Sequence, residues 1–122
     1  MAFKFEKLNV WHKAVVLSEK VHQITSHFPH DELYVLTTQI KRAADSVSLN
    51  IAEGSIGQTN PEFIRSLGIA VRSAIEVVGC LFLAKRRRII SDTDFNTVYN
   101  MCEEIVVMIN ALRNTLQQKH QH

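Results

Sequence analysis

Seven apolar residues near the C-terminus, Phe95, Val98, Cys102, Ile105, Ile109, Leu112 and Leu116, follow one another at alternating steps of three and four. That spacing lays all seven along one stripe of an α-helix, and a stripe of that length needs an apolar partner to bury it. Ser91-Asp92-Thr93-Asp94 stands just before it as a near capping box, with Asp94 in place of the usual Glu. One long amphipathic helix is therefore fixed, and the question becomes what else in the chain can cover it.

Three further segments carry the same period. Asn9 is placed to cap a first helix reaching about Phe28, with Trp11, Ala14, Val15, Ser18, Val21, Thr25 and Phe28 on one face. Pro29 breaks it. A second helix begins between Glu32 and Leu36, and its stripe is Leu36, Ile40, Ala43, Ala44, Val47 and Ile51. Gly54-Ser55-Ile56-Gly57 ends it, glycine being suited to the left-handed conformation that follows many helices. Asn60-Pro61-Glu62 starts a third, with Asn60 as cap, followed by Phe63, Leu67, Ala70, Val71, Ala74, Val78 and Leu81. It closes near Lys85-Arg86-Arg87-Arg88. Beyond Leu116 the polar tail Gln117 to His122 is expected to fray.

Four helices of roughly 20 residues, each about 30 Å long, joined by short connections, predict an all-α fold: an antiparallel up-down four-helix bundle. With 122 residues, the chain is one domain, residues 1–122. Four Gly and two Pro encode too few turns for an all-β fold. The N-terminus, Met1-Ala2-Phe3-Lys4-Phe5-Glu6-Lys7, is too charged for a signal peptide, and the longest uncharged apolar run, Val77 to Ala84, is too short to span a bilayer. Cys80 and Cys102 lie in apolar stretches without metal-ligand spacing and read as buried thiols. A cytoplasmic protein with no membrane partner is expected.

The apolar residues exceed what one bundle core requires. Val16 and Leu17, then Ile75, Val77, Phe82 and Leu83, then Met101, Val106, Val107 and Met108 fall outside the main stripes. A surplus of that size predicts self-association into a homo-oligomer.

The second helix carries the most distinctive run, Gln39-Ile40-Lys41-Arg42-Ala43-Ala44 followed by Ser46-Val47-Ser48-Leu49-Asn50-Ile51-Ala52-Glu53-Gly54. It resembles the Q-x-x-R-A-x-x-S-x-x-x-N-I-A-E-G pattern of the 23S rRNA-intervening-sequence proteins. The likeness extends through Leu8, Val10, Trp11, Ala14 and Phe28-Pro29, and through Phe63, Leu67, Ile69, Ala70, Ser73 and Glu76. The resemblance implies a four-helix bundle assembled as a pentameric ring, with no catalytic residues to carry over. Relatives act as accessory proteins of diversity-generating retroelements, which implies RNA or DNA and a reverse transcriptase as partners. Three positions depart from the pattern. Arg72 replaces the usual Gly before the third-helix Ser, Gly57 replaces a frequent basic residue, and Arg88-Ile89-Ile90 replaces a Gly-aromatic-Ile turn.

Two groups of residues carry candidate chemistry. Lys85, Arg86, Arg87 and Arg88 form the densest basic cluster and, with Arg72, the candidate nucleic-acid-binding set. A helix C-terminus favours cations at about 0.3–1 kcal/mol each, which explains part of this cluster and leaves a surplus for phosphates. The formal net charge of +2 implies nothing by itself. Gln39, Arg42, Ser46, Asn50 and Glu53 share one face of the second helix, flanking its apolar stripe. Together with Ser73 and Glu76 they are expected to form a structural polar network, Arg42 and Arg72 pairing with Glu53 and Glu76.

Neither group is a catalytic constellation, so no enzyme, cofactor or metal is predicted. His22, His27 and His30 are too loosely spaced to converge on a metal, and His22 has Glu19 as its nearest acidic neighbour in sequence. The enzymatic rival is a HEPN-type ribonuclease signature, Arg113-Asn114 with His120, which places the histidine in the polar tail. The functional expectation is a non-enzymatic oligomeric binding protein contacting nucleic acid or a ribonucleoprotein. A protein-interaction scaffold without nucleic-acid affinity is the alternative.

Overall fold

The computed structural model describes residues 2–57 and 59–121, the last two as backbone only. Four helices pack as a bundle: α1 (Asn9–Thr25), α2 (Thr38–Ser55), α3 (Asn60–Arg86) and α4 (Asp92–Gln121). Each packs on its chain neighbours, and α4 returns against α1. Contacts pair the end of α2 with the start of α3 (Gly54 with Ser66), and the end of α3 with the start of α4 (Phe82 with Phe95). Successive helices therefore run in opposite directions.

The predicted stripes of α2 and α4 are buried as expected, with Leu112 half-buried. In α1 and α3 the buried face is shifted by part of a turn: Ala14, Val21, Thr25 and Phe28 of the first stripe and Phe63, Leu67, Ala70, Ala74 and Leu81 of the third are buried as expected. α1 buries Val10, Ala14, Leu17, Val21, Ile24 and Thr25, and Phe28 follows beyond its end, while Val15 and Val16 face water. The cause lies in its neighbours. Trp11 is drawn aside by Phe5, ring centroids 4.7 Å apart, and Ser18 turns to bond Asp45 of α2. α3 buries Phe63, Leu67, Ala70, Ala74, Val77, Leu81 and Ala84, the same alternation of four and three. Val71 and Val78 are only half-buried. Leu17 and Val77, surplus by the sequence pattern, are thus core residues; each such fully buried side chain contributes about 1.5–3 kcal/mol.

Helix ends differ from the sequence reading in five places. α2 begins at Thr38, later than the expected start at Glu32 or Leu36. A 3₁₀ turn (His30–Glu32) and a π turn (Leu33–Thr37) precede it, and Leu36 is buried from that π turn. α1 is entered from Leu8, with no side-chain cap from Asn9, after a 3₁₀ turn (Lys4–Lys7) in which Glu6 accepts the Phe3 N–H. It stops at Thr25, where the hydroxyl donates to the Val21 carbonyl and the chain tightens toward Phe28. Thr59, not Asn60, caps α3 by accepting the Glu62 N–H at 3.3 Å. Asn60 is then free to donate to the Leu116 carbonyl of α4 at 3.4 Å. α4 continues to Gln121, with no Gly or Pro in the polar tail to stop it.

By length and composition α3 is long and apolar enough to cross a membrane, which the uninterrupted run Val77 to Ala84 does not reveal. Here one face of it packs between α2 and α4 as a core helix.

Glycine and left-handed backbone are also distributed unexpectedly. No described glycine has positive φ; the left-handed residue is Arg88, at φ 59°. It closes α3 in a Schellman motif, with Arg88 N–H bonding the Lys85 carbonyl and Ile89 N–H the Ala84 carbonyl. Gly54 lies inside α2 and serves close approach instead: a Cβ there would sit 2.5 Å from Ser66 Cβ.

Two stability changes follow, both readable by thermal or denaturant unfolding. Arg88→Gly should stabilise by about 1 kcal/mol, because a left-handed conformation costs a β-carbon residue roughly 1–2 kcal/mol. A fall in stability would show that the arginine side chain holds the turn. Gly54→Ala should destabilise by about 1–3 kcal/mol through overpacking of α2 on α3.

Candidate functional site

The basic cluster sits where α3 ends, and all four side chains are exposed. Backbone N–H groups of Arg87, Ile89 and Arg88 satisfy the Leu83, Ala84 and Lys85 carbonyls at the end of α3, so no cationic side chain is needed to cap those three. The four cations are not equivalent. Arg87 Nη1 donates to both oxygens of Glu32, at 2.9 and 3.0 Å, and is neutralised there. Lys85 Nζ lies 4.6 Å from the Phe95 ring centroid, a cation–π contact. Lys85, Arg86 and Arg88 surround, with Phe82, an open concavity of about 700 Å³. Asp92 and Asp94 occupy the first turn of α4, and among the described residues neither bonds to these three cations. Arg72 is exposed but lies 14 residues before Arg86, about 21 Å along the helix at 1.5 Å per residue, and is not brought to this end.

The polar face of α2 forms half of the expected network. Ser46 is its centre: Asn50 Nδ2 donates to the Ser46 carbonyl at 2.8 Å and to its Oγ at 2.9 Å. Ser73 Oγ of α3 donates to the same Oγ at 2.9 Å. Tyr34, Gln39, Arg42, Ser73 and Glu76 line an open groove of about 670 Å³ above this centre. The charged half is not formed. Among the described residues neither Arg42 nor Arg72 pairs with Glu53 or Glu76, and Glu53 is exposed outside the groove. These side chains reach water, where an ion pair returns little for the entropy of holding it.

Several cross-helix polar contacts have no counterpart in the sequence reading, among them Lys13 of α1 with Glu104 of α4 at 2.7 Å. His22 meets Asp45 of α2 at 3.0 Å rather than Glu19, and Ser18 donates to the same carboxylate oxygen. Ser18 and His22 are one turn apart, a spacing that marks a shared face without naming the partner. No group of three metal-ligating side chains occurs among the described residues. Arg113 packs its guanidinium near Gly68 of α3 and bonds Asn110 Oδ1 at 3.4 Å, with Nε buried and unpartnered. The His120 side chain lies outside the described residues.

Much of the apolar surplus faces solvent. Ile75 is 59% exposed, Phe82 54% and Val107 64%. Ile75, Val78, Tyr99, Val106 and Val107 line an apolar groove of about 230 Å³ between α3 and α4.

These features define a small helical-bundle protein with a basic helix end, a polar seam between α2 and α3, and an uncovered apolar groove. The match to the family described as 23S rRNA-intervening sequence protein spans residues 6–111, and the chain belongs to that family. A crystal structure of a protein of unknown function from the S23 ribosomal protein family of Bacteroides thetaiotaomicron VPI-5482 shares the fold. It has a TM-score of 0.77 and 23% identity, over 85% of this chain and 97% of that one. No curated protein matches the sequence.

Both cysteines are free and buried. Burial pushes the Cys102 thiol up to about 12. Cys80 is also raised, first by burial and then by Glu76, with Arg87 opposing. An unfolded thiol ionises near ~8.5. Above that pH the unfolded chain releases a proton that folded Cys102 retains, so its contribution is intact below about pH 8.5 and is lost as pH rises toward 12. A thiol reagent at pH 8 should therefore label Cys102 only at the rate of unfolding, and fast labelling of the folded protein would contradict its burial.

Proposed function

We propose that this chain is a non-enzymatic, oligomeric binding protein of the cytoplasm that contacts RNA or DNA through the end of α3. The observation that carries the reading is the division of the basic cluster. Arg87 is neutralised by Glu32, whereas Arg86 and Arg88 have no acidic partner among the described residues and stand beside Lys85 around an open concavity. Guanidinium groups so placed suit phosphate oxygens, which they bind in bidentate fashion.

Assembly supports the same reading. The apolar groove between α3 and α4, with exposed Ile75 and Val107 at it, suits a second copy of the chain. The family resemblance supports a homopentamer as the form of that assembly. A ring repeats the basic end in every subunit and multiplies weak phosphate contacts into avidity. A reverse transcriptase or other ribonucleoprotein fits as a partner on the same grounds. The apolar groove also favours a second reading, a protein scaffold without nucleic-acid affinity.

Gel-shift titrations across a salt series separate the two readings, with light scattering to give the mass. Binding is expected to weaken steeply with salt. The double variant Arg86→Ala/Arg88→Gly should make the slope of log K against log salt shallower by roughly 2 for each engaged subunit. Salt-independent retention, or no binding at low salt, would leave the scaffold reading. A monomeric mass at micromolar concentration would rule out the ring.

A further inference from the structure

Resting on the basic-end reading, we infer that the concavity takes a single-stranded segment of nucleic acid, with an unpaired base stacked on Phe82 and phosphates on Arg86, Arg88 and Lys85. Phe82 lies one turn before Arg86 and three residues before Lys85, so the three share one face of α3. It lines the same concavity as the cations and is 54% exposed.

The ring is held in place from behind. It meets Phe95 edge-on at 5.1 Å and 79°, and Tyr99 at 6.4 Å and 85°. Phe95 and Tyr99 are themselves stacked at 6.0 Å. Two rings fix the orientation of Phe82 while half its surface stays in water. An aromatic so fixed is a platform, because a base that stacks on it meets a ring already ordered.

A base in duplex is covered above and below by its neighbours, so only an unpaired one can use that platform. The surrounding charge matches. Cations flanking an aromatic, rather than a flat basic surface, let the backbone pass beside the ring while a base turns onto it. Arg88 holds its place at this rim in a left-handed conformation that glycine would adopt without strain. Strain kept at a residue facing an open concavity points to use of its side chain.

The test compares the full-length protein with Phe82→Leu and Phe82→Tyr by fluorescence anisotropy, using labelled oligo-dT and oligo-U and a duplex of equal length. Leucine keeps the apolar surface and removes the π face; tyrosine keeps both. The wild type should prefer the single strands. Phe82→Leu should lose about tenfold in single-strand affinity with little change on duplex, and Phe82→Tyr should retain it. Unchanged single-strand affinity in Phe82→Leu, with salt-dependent binding intact, would overturn the stacking and leave the basic-end reading standing. No binding of any of the probes would remove both. A changed mass of Phe82→Leu by light scattering, with its affinity unchanged, would assign Phe82 to assembly and overturn the inference.

Discussion

The close approach of α2 and α3 sets the register of everything else. At one end Gly54 lets α2 come within reach of Ser66, where even a methyl group would collide. Near the middle Ser73 reaches across to Ser46, which Asn50 holds from within α2. Two fixed points on a pair of stiff helices leave little freedom to slide or rotate. Farther along, the same register brings Glu32, ahead of α2, to Arg87 at the end of α3. That ion pair decides which member of the basic cluster is spent inside the fold. The groove containing Arg42 and Glu76 opens above the same seam.

The end of α3 shows structural need and side-chain availability separated. Backbone bonds close the helix by themselves, so the four cations are not occupied in capping it. One is consumed by Glu32, and one rests over an aromatic ring. Two project from a turn whose left-handed residue is an arginine. Such a turn favours glycine on backbone grounds alone. A charged residue there exchanges some stability for a positive rim beside an exposed phenylalanine.

The apolar surplus divides in two once the helices are packed. Leu17 and Val77 complete regular alternations of three and four and belong to the core. Ile75, Phe82 and Val107 remain outside it. Two surplus residues thus enter the core while Val15, expected there, faces water with Val16, and Ile75, Phe82, Leu83 and Val107 stay exposed along α3 and α4. Concentration matters more than amount, because contiguous apolar surface is what a partner can bury.

The sequence by itself determined the four helices, the apolar stripe that α2 buries and almost all of that of α4. Their apolar residues recur without interruption, and periodicity is a local property of the chain. It also determined the family, through the motif ending at Gly54, and the position of the basic helix end. Tertiary structure decided the rest. Which face of α1 turned inward depended on Phe5 of the preceding turn taking Trp11, and on Asp45, more than 20 residues away, taking Ser18 and His22. Thr59 rather than Asn60 became the cap because α4 offered the Leu116 carbonyl to the Asn60 side chain. Arg42 and Glu76 stayed apart although their positions suggested a pair, since both reach water across an open groove. Sharing a face is written in spacing, whereas pairing depends on the register between helices, which only the packed bundle sets.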